Sequence, residues 1–227
     1  MAYGFLDIAA TPAVRAAQAT NGSLAAWERF SGDRLFDRFT EHEIAFIEAR
    51  DSFYMATVSQ TGWPYVQHRG GPAGFLKVLD ATTLAFADFR GNRQYISLGN
   101  ASANDRVALI LMDYPNRTRL KVLAHIEVRD LSADPDLAGR LALPGYTAKP
   151  ERAFLLHVEA FDWNCPQHIT PRFTTAEIEI ATAPLRARIA ALELENQALK
   201  KARGSAPQAS SGPPLGIDPQ TDVMHKT

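Results

Sequence analysis

Residues 53–69 read FYMATVSQTGWPYVQHR. Phe53 to Ser59 is a run rich in β-branched and aromatic side chains, and Gln60-Thr61-Gly62 is a turn. A second strand follows from Trp63 to Arg69, with Pro64 near its start, where a missing amide is least disruptive. Gly70-Gly71-Pro72-Ala73-Gly74 breaks that strand. The same alternation of short β-rich runs and turns continues through Phe75–Leu79, Thr83–Ala87, Arg106–Met112, Leu120–Val128 and Ala153–Ala160. A short helix is expected near Asp136 to Leu143. Many closely spaced strands argue for a barrel, and no long helices alternate with them as a doubly wound parallel sheet requires. The expected class is mainly β (α+β), a barrel with helical appendages.

The flanks read differently. Thr11 caps a helix whose first position is Pro12, and Asn21-Gly22 stops it. Trp27, Phe30, Leu35, Phe36 and Phe39 supply apolar anchors through a less regular stretch. Thr40 and Glu43 form a capping box that starts a helix over Glu41–Arg50, with Ile44 and Ile47 on its inner face. At the far end Thr174 and Glu177 form another capping box, and Pro184 opens a fresh helical segment. Ile178, Thr182, Leu185, Ile189, Leu192, Asn196 and Leu199 alternate at spacings of four and three, a heptad seam. Two arrangements suit it: a parallel two-stranded coil, or a single helix lying on its own barrel. Beyond Arg203 the composition is too poor in packing residues to order. The expected domains are 1–52 (helical lead-in), 53–173 (barrel), 174–203 (C-terminal helix) and 204–227 (disordered tail).

The formal net charge of −1 over 227 residues gives no electrostatic reason to expect nucleic acid or an anionic membrane as partner. No apolar run approaches the ~18 residues of a membrane span, and the N-terminus lacks the pattern of a secretory signal. A single cysteine, Cys165, allows no intrachain disulfide and suits the cytoplasm.

A phosphate monoester needs cations and aligned donors. Arg69 ends a strand beside Gly70-Gly71. Arg93 follows Gly91-Asn92 at the start of a short helix through Leu98, whose free amides and dipole favour an anion. Asn92 and Gln94 add neutral donors. The plainer reading is a solvated loop with ordinary surface arginines.

The strand order, the Gly62-Trp63-Pro64-Tyr65 turn, Phe86 to Gln94 (FADFRGNRQ) and Asp105-Arg106-Val107-Ala108-Leu109 together resemble the pyridoxamine 5′-phosphate oxidase-like FMN-binding split barrels over roughly residues 40–173. In that family a Ser-Arg-Lys type triplet grips the FMN phosphate. Asn92-Arg93-Gln94 matches it here, keeping one cation and lacking the other. The resemblance implies FMN as cofactor, held by Gln67, His68, Arg69, Asn92, Arg93 and Gln94, with Trp163 against the isoalloxazine. It implies an oxidoreductase acting on a small molecule, and a homodimer with cofactor sites between subunits. No catalytic side chain is assigned. The pattern departs from true pyridoxamine phosphate oxidases at the second strand and at the chain end, so the resemblance does not carry over the vitamin B6 substrate. The alternative is a non-catalytic flavin- or haem-binding module, with His68, His125 or His157 as haem ligand. Cys165 and His168 are too few ligands for structural zinc, and His125 and His157 read as core or interface residues.

Overall fold

The computed structural model describes residues 4–28, 36–163 and 166–204. Phe30, Leu35, Cys165 and the tail beyond Gly204 lie outside them. The chain divides into two compact units, Met1–Arg172 and Phe173–Thr227, each described by itself.

The first unit begins with three short helices, α1 (Phe5–Ala9), α2 (Pro12–Thr20) and α3 (Leu24–Glu28). Thr11 caps α2, its hydroxyl accepting from the Val14 amide at 3.4 Å, and Gly22 takes φ 71° just past its end. Helix α4 (Glu41–Glu48) starts on the expected capping box: the Thr40 amide and hydroxyl donate to Glu43 Oε2 at 3.0 and 2.7 Å. It ends two residues short of Arg50, whose side chain turns back to the Phe46 carbonyl.

Strands β1 (Ser52–Val58), β2 (Pro64–Gly70), β3 (Lys77–Asp80) and β4 (Thr83–Phe89) lead to helix α5 (Ile96–Ala103). Strands β5 (Arg106–Asp113) and β6 (Thr118–Arg129), helix α6 (Pro135–Leu141) and strand β7 (Pro150–Trp163) complete the unit. All seven strands form one antiparallel sheet in the order β2-β1-β5-β6-β7-β4-β3. Its ladder is open between β2 and β3, so the sheet does not close by backbone hydrogen bonds.

It nevertheless curls on itself. Phe53 of β1 and Phe86 of β4 stand far apart in strand order, yet their rings lie 5.3 Å apart, edge to face. Phe53, Phe86, Phe154 and Phe161 are fully buried in this interior, each contributing about 1.5–3 kcal/mol of apolar burial. Strand β4 is buried on both faces. Leu84 and Phe86 enter the barrel, while Ala85 and Ala87 lie under Leu137 and Leu141 of α6.

Four elements differ from the expectation. Strand β3 starts at Lys77, because Phe75 and Leu76 turn into the core after Gly74 at φ 77°. Strands β6 and β7 outrun their apolar patterns because they pair with each other from Leu120–Trp163 to Arg129–Ala153, around one register shift. Helix α5 begins at Ile96, not at Arg93, because Arg93 and Tyr95 take φ 62° and 53°, which no helix accommodates.

The second unit holds α7 (Thr175–Gly204), opened by Thr174, whose amide donates to Glu177 Oε2 at 2.7 Å and whose hydroxyl accepts from the Glu177 amide at 3.2 Å. The helix runs through Pro184 unbroken, where a fresh start is the sequence expectation. Among the described residues no helix is long and apolar enough to cross a membrane.

Candidate functional site

Along β2 the side chains alternate, so Tyr65, Gln67 and Arg69 share one face and Val66 and His68 the other. The first face walls a cavity of about 220 Å³, together with Asn92, Arg93, Gln94 and the first turn of α5. The cavity thus sits where the two ends of the curled sheet approach each other. Arg69 of β2 donates from Nη1 to Asp88 Oδ1 of β4 at 2.9 Å, an ion pair that bridges strands the backbone ladder leaves apart.

Asp88 is shared. Arg152 of β7 reaches its other oxygen, Oδ2, at 3.4 Å, and also donates to Glu151 at 3.1 Å. Arg90 lies 3.8 Å from Glu151. The Tyr95 hydroxyl donates to Glu151 at 3.3 Å and accepts from Arg93 Nε at 3.3 Å. Arg69, Arg90, Arg93 and Arg152 therefore stand against Asp88 and Glu151, leaving positive charge in excess. Burial pushes the Arg69 guanidinium down and the Asp88 carboxyl up from their ordinary values, and their mutual attraction offsets only part of each shift.

The loop before α5 is shaped by its own polar side chains. Asn92 Oδ1 accepts from the Gln94 amide at 3.2 Å, which bends the chain and leaves Arg93 fully exposed at positive φ. No side chain caps α5, so amides of its first turn remain available to a ligand. Among the described residues, two buried donors of residues lining the cavity have no partner, Arg69 Nε and Ser97 Oγ, the latter in the first turn of α5. A buried donor left unsatisfied costs about 1–3 kcal/mol, and natural interiors rarely leave one so. Guanidinium, hydroxyl, side-chain amides and a helix N-terminus form the donor set that a phosphate monoester requires, so these residues fit the phosphate of FMN.

The structure brings together Gln67, Arg69, Asn92, Arg93 and Gln94. It sets His68 on the opposite face of β2, its ring 5.5 Å from that of Tyr54. Trp163 lies outside the cavity lining. It packs edge to face on Phe46 at 4.8 Å and donates to buried Glu43 at 2.8 Å. Gly71 is required by packing, since a Cβ there would meet Phe75 at 2.8 Å. His125 and His157 are paired across β6 and β7 but face outward, bound to Asp105 at 2.9 Å and Glu127 at 3.0 Å. Neither lines the cavity. Tyr65, Asp88, Ser97, Glu151 and Arg152 belong to the site's surroundings without having been singled out in sequence. Tyr65 was accessible by alternation with Gln67 and Arg69. The others are placed by strand pairing and helix docking, which leave no local signal.

A model of the pyridoxamine 5′-phosphate oxidase family matches residues 39–160, more than half of the 227-residue chain. That span runs from the lead into α4 through most of β7 and includes the whole cavity. No curated protein shows a matching sequence. Among solved structures, a protein of Lactobacillus delbrueckii named for pyridoxamine 5′-phosphate oxidase is 26% identical, with 56% of this chain and 94% of that chain covered and a TM-score of 0.43. An F420 reductase is 21% identical over 55% and 98% of the two chains, TM-score 0.39. HupZ of Group A Streptococcus is 16% identical over 60% and 99%, TM-score 0.42. On the family match over strands, cavity loop and helix alike, this chain belongs to the pyridoxamine 5′-phosphate oxidase family.

Proposed function

We propose that this protein is an FMN-dependent oxidoreductase acting on a small molecule, with the cofactor's phosphate in the Arg69–Arg93 cavity. The observation that carries the reading is the pair of buried donors without partners, Arg69 Nε and Ser97 Oγ, beside the uncapped start of α5. In this reading Arg93 supplies an exposed cation and Arg69 a largely buried one, oriented by Asp88. Asn92 and Gln94 donate from their amides, and Gln67, next to Arg69 on the same face, is assigned to the heterocycle. When bound, FMN supplies hydride acceptance and electron transfer, while the protein contributes binding, orientation and electrostatic tuning. The cavity's volume of about 220 Å³ falls below the ~300–1,000 Å³ of a complete small-molecule site. It suits one end of the cofactor, which supports a homodimer whose second copy covers the rest. A cytoplasmic address, read from the single cysteine, belongs to the same reading.

The test is the visible spectrum of the purified protein before and after FMN is added and the excess removed. Retained flavin bands are expected. In Arg93→Ala, loss of one charge-assisted hydrogen bond of ~1.5–3 kcal/mol weakens FMN binding about tenfold to a hundredfold. Unchanged affinity in that variant removes Arg93 from the site, and a protein that ignores FMN overturns the reading as a whole.

A further inference from the structure

We infer that α7 pairs with α7 of a second copy as a parallel, in-register two-stranded coiled coil. This rests on α7 alone and is independent of the cofactor reading. One core position of the heptad holds Ile178, Leu185, Leu192 and Leu199, and the other holds Thr182, Ile189 and Asn196. The apolar members are exposed in the single chain, from 43% at Leu192 to 66% at Leu185. Helix α7 is continuous across the whole seam, which spans ~32 Å at 1.5 Å per residue.

The occupant is identified by complementarity. Leucine at three of the four places of one core position, with β-branched Thr182 and Ile189 at the other, favours two strands in a parallel coil. Flanking charges then match between copies: Arg188 faces the partner's Glu193, and Glu195 faces the partner's Lys200. Asn196 fixes the direction. In a parallel in-register pair the two Asn196 amides meet at the same level and bond each other. In an antiparallel pair Asn196 would face isoleucine or leucine, because core positions of opposite kind then meet. Pro184 lies on the helix side away from the seam, two residues past Thr182, so its ring does not enter the contact. Ile180 and Leu194 also lie outside the seam, as isolated exposed apolar residues, which surfaces tolerate.

The test uses the full chain with Cys165→Ser, so that an introduced cysteine is the sole thiol. Under mild oxidation Leu185→Cys and Leu192→Cys each convert the 24.9 kDa chain to a band of twice that mass on a non-reducing gel, since core positions bring like residues within disulfide reach. Ala187→Cys, on the outer face, stays at 24.9 kDa. Adding Arg188→Glu to Leu192→Cys slows the linking, and adding Glu193→Arg as well restores it. Absence of linking at both Leu185 and Leu192, as an antiparallel pair or a helix lying on its own barrel would give, overturns the inference. Equal linking at Ala187 overturns it too.

Discussion

Asp88 is 8% exposed and receives two guanidiniums, Arg69 at 2.9 Å and Arg152 at 3.4 Å. Its burial raises its pKa, so as a charged group it is held in place at some expense by its partners. What it secures is position: Arg69, which lines the cavity, passes across the open side of the sheet within 6 Å of the Phe86 and Phe154 ring centroids, its Nε buried without a partner. Removing the carboxylate strands a buried guanidinium. Asp88→Ala should therefore lower stability by about 3–5 kcal/mol, the range for breaking one side of a buried ion pair, read from denaturant midpoints at constant slope. Arg93→Ala, at a fully exposed side chain, should leave the midpoint unchanged while weakening FMN binding. An Asp88→Ala protein as stable as the parent would show that Arg69 and Arg152 rearrange freely, and the role given to Arg69 as a cation oriented by Asp88 would fall. The residue scale is also where sequence reading was least sufficient. Gln67, His68 and Arg69 stand together in the chain, but strand alternation separates His68 from its neighbours. Arg152 reaches Asp88 only through the β4–β7 register, which no local pattern encodes.

At the scale of elements, helix α4 is fixed to the sheet at both ends. At its start Glu43, fully buried, joins Thr40 to the Trp163 indole of β7. Past its end Arg50 donates to the Met112 carbonyl at 3.2 Å and pairs with Asp113 of β5 at 3.0 Å. Burial acts to raise the Asp113 pKa, but hydrogen bonds from Asn116 and the Arg50 charge outweigh it, so the folded-state value lies below the usual carboxylate range. A lowered folded-state pKa means that the unfolded chain binds the proton first. The stabilisation is complete above the unfolded pKa of ~3.9 and is lost as pH falls through the folded value. Asp88, with its raised pKa, contributes with the opposite sign. Asp113→Asn should thus lower the melting temperature at pH 7 and flatten its decline below about pH 4, measured by thermal melts across that range. An identical acid slope in both proteins would show that Asp113 carries none of it. The capping box at Thr40, the caps at Thr11 and Thr174 and the succession of strands along the chain were all legible, because each depends on residues close in sequence. The start of α5 was not. Tyr95 takes a left-handed conformation with its hydroxyl bonded to Glu151, a contact 56 residues away, and that tertiary contact overrides the local helix signal.

For the whole molecule, the cavity of about 220 Å³ is smaller than the ~300–1,000 Å³ of a complete small-molecule site, and edge strand β2 has no neighbour on its outer side. Trp63 and Val66, at and beside the start of edge strand β2, are 76% and 61% exposed, and long exposed apolar edges favour association. If a second copy supplies the missing wall of the proposed FMN site, binding and dimerisation are linked: FMN must favour the dimer to the degree that the dimer favours FMN. The chain ended at Arg172, the limit of the first compact unit, isolates this coupling from any pairing of α7. Sedimentation velocity of that shortened protein should show a monomer–dimer equilibrium that shifts towards dimer as FMN is added, by ~1.4 kcal/mol for each tenfold difference in FMN affinity between the two states. FMN that binds without changing the sedimentation profile would place the complete cofactor site within one chain. The heterocycle would then have to lie along the open face of β2, past Gln67 and Tyr65, with solvent on its other side.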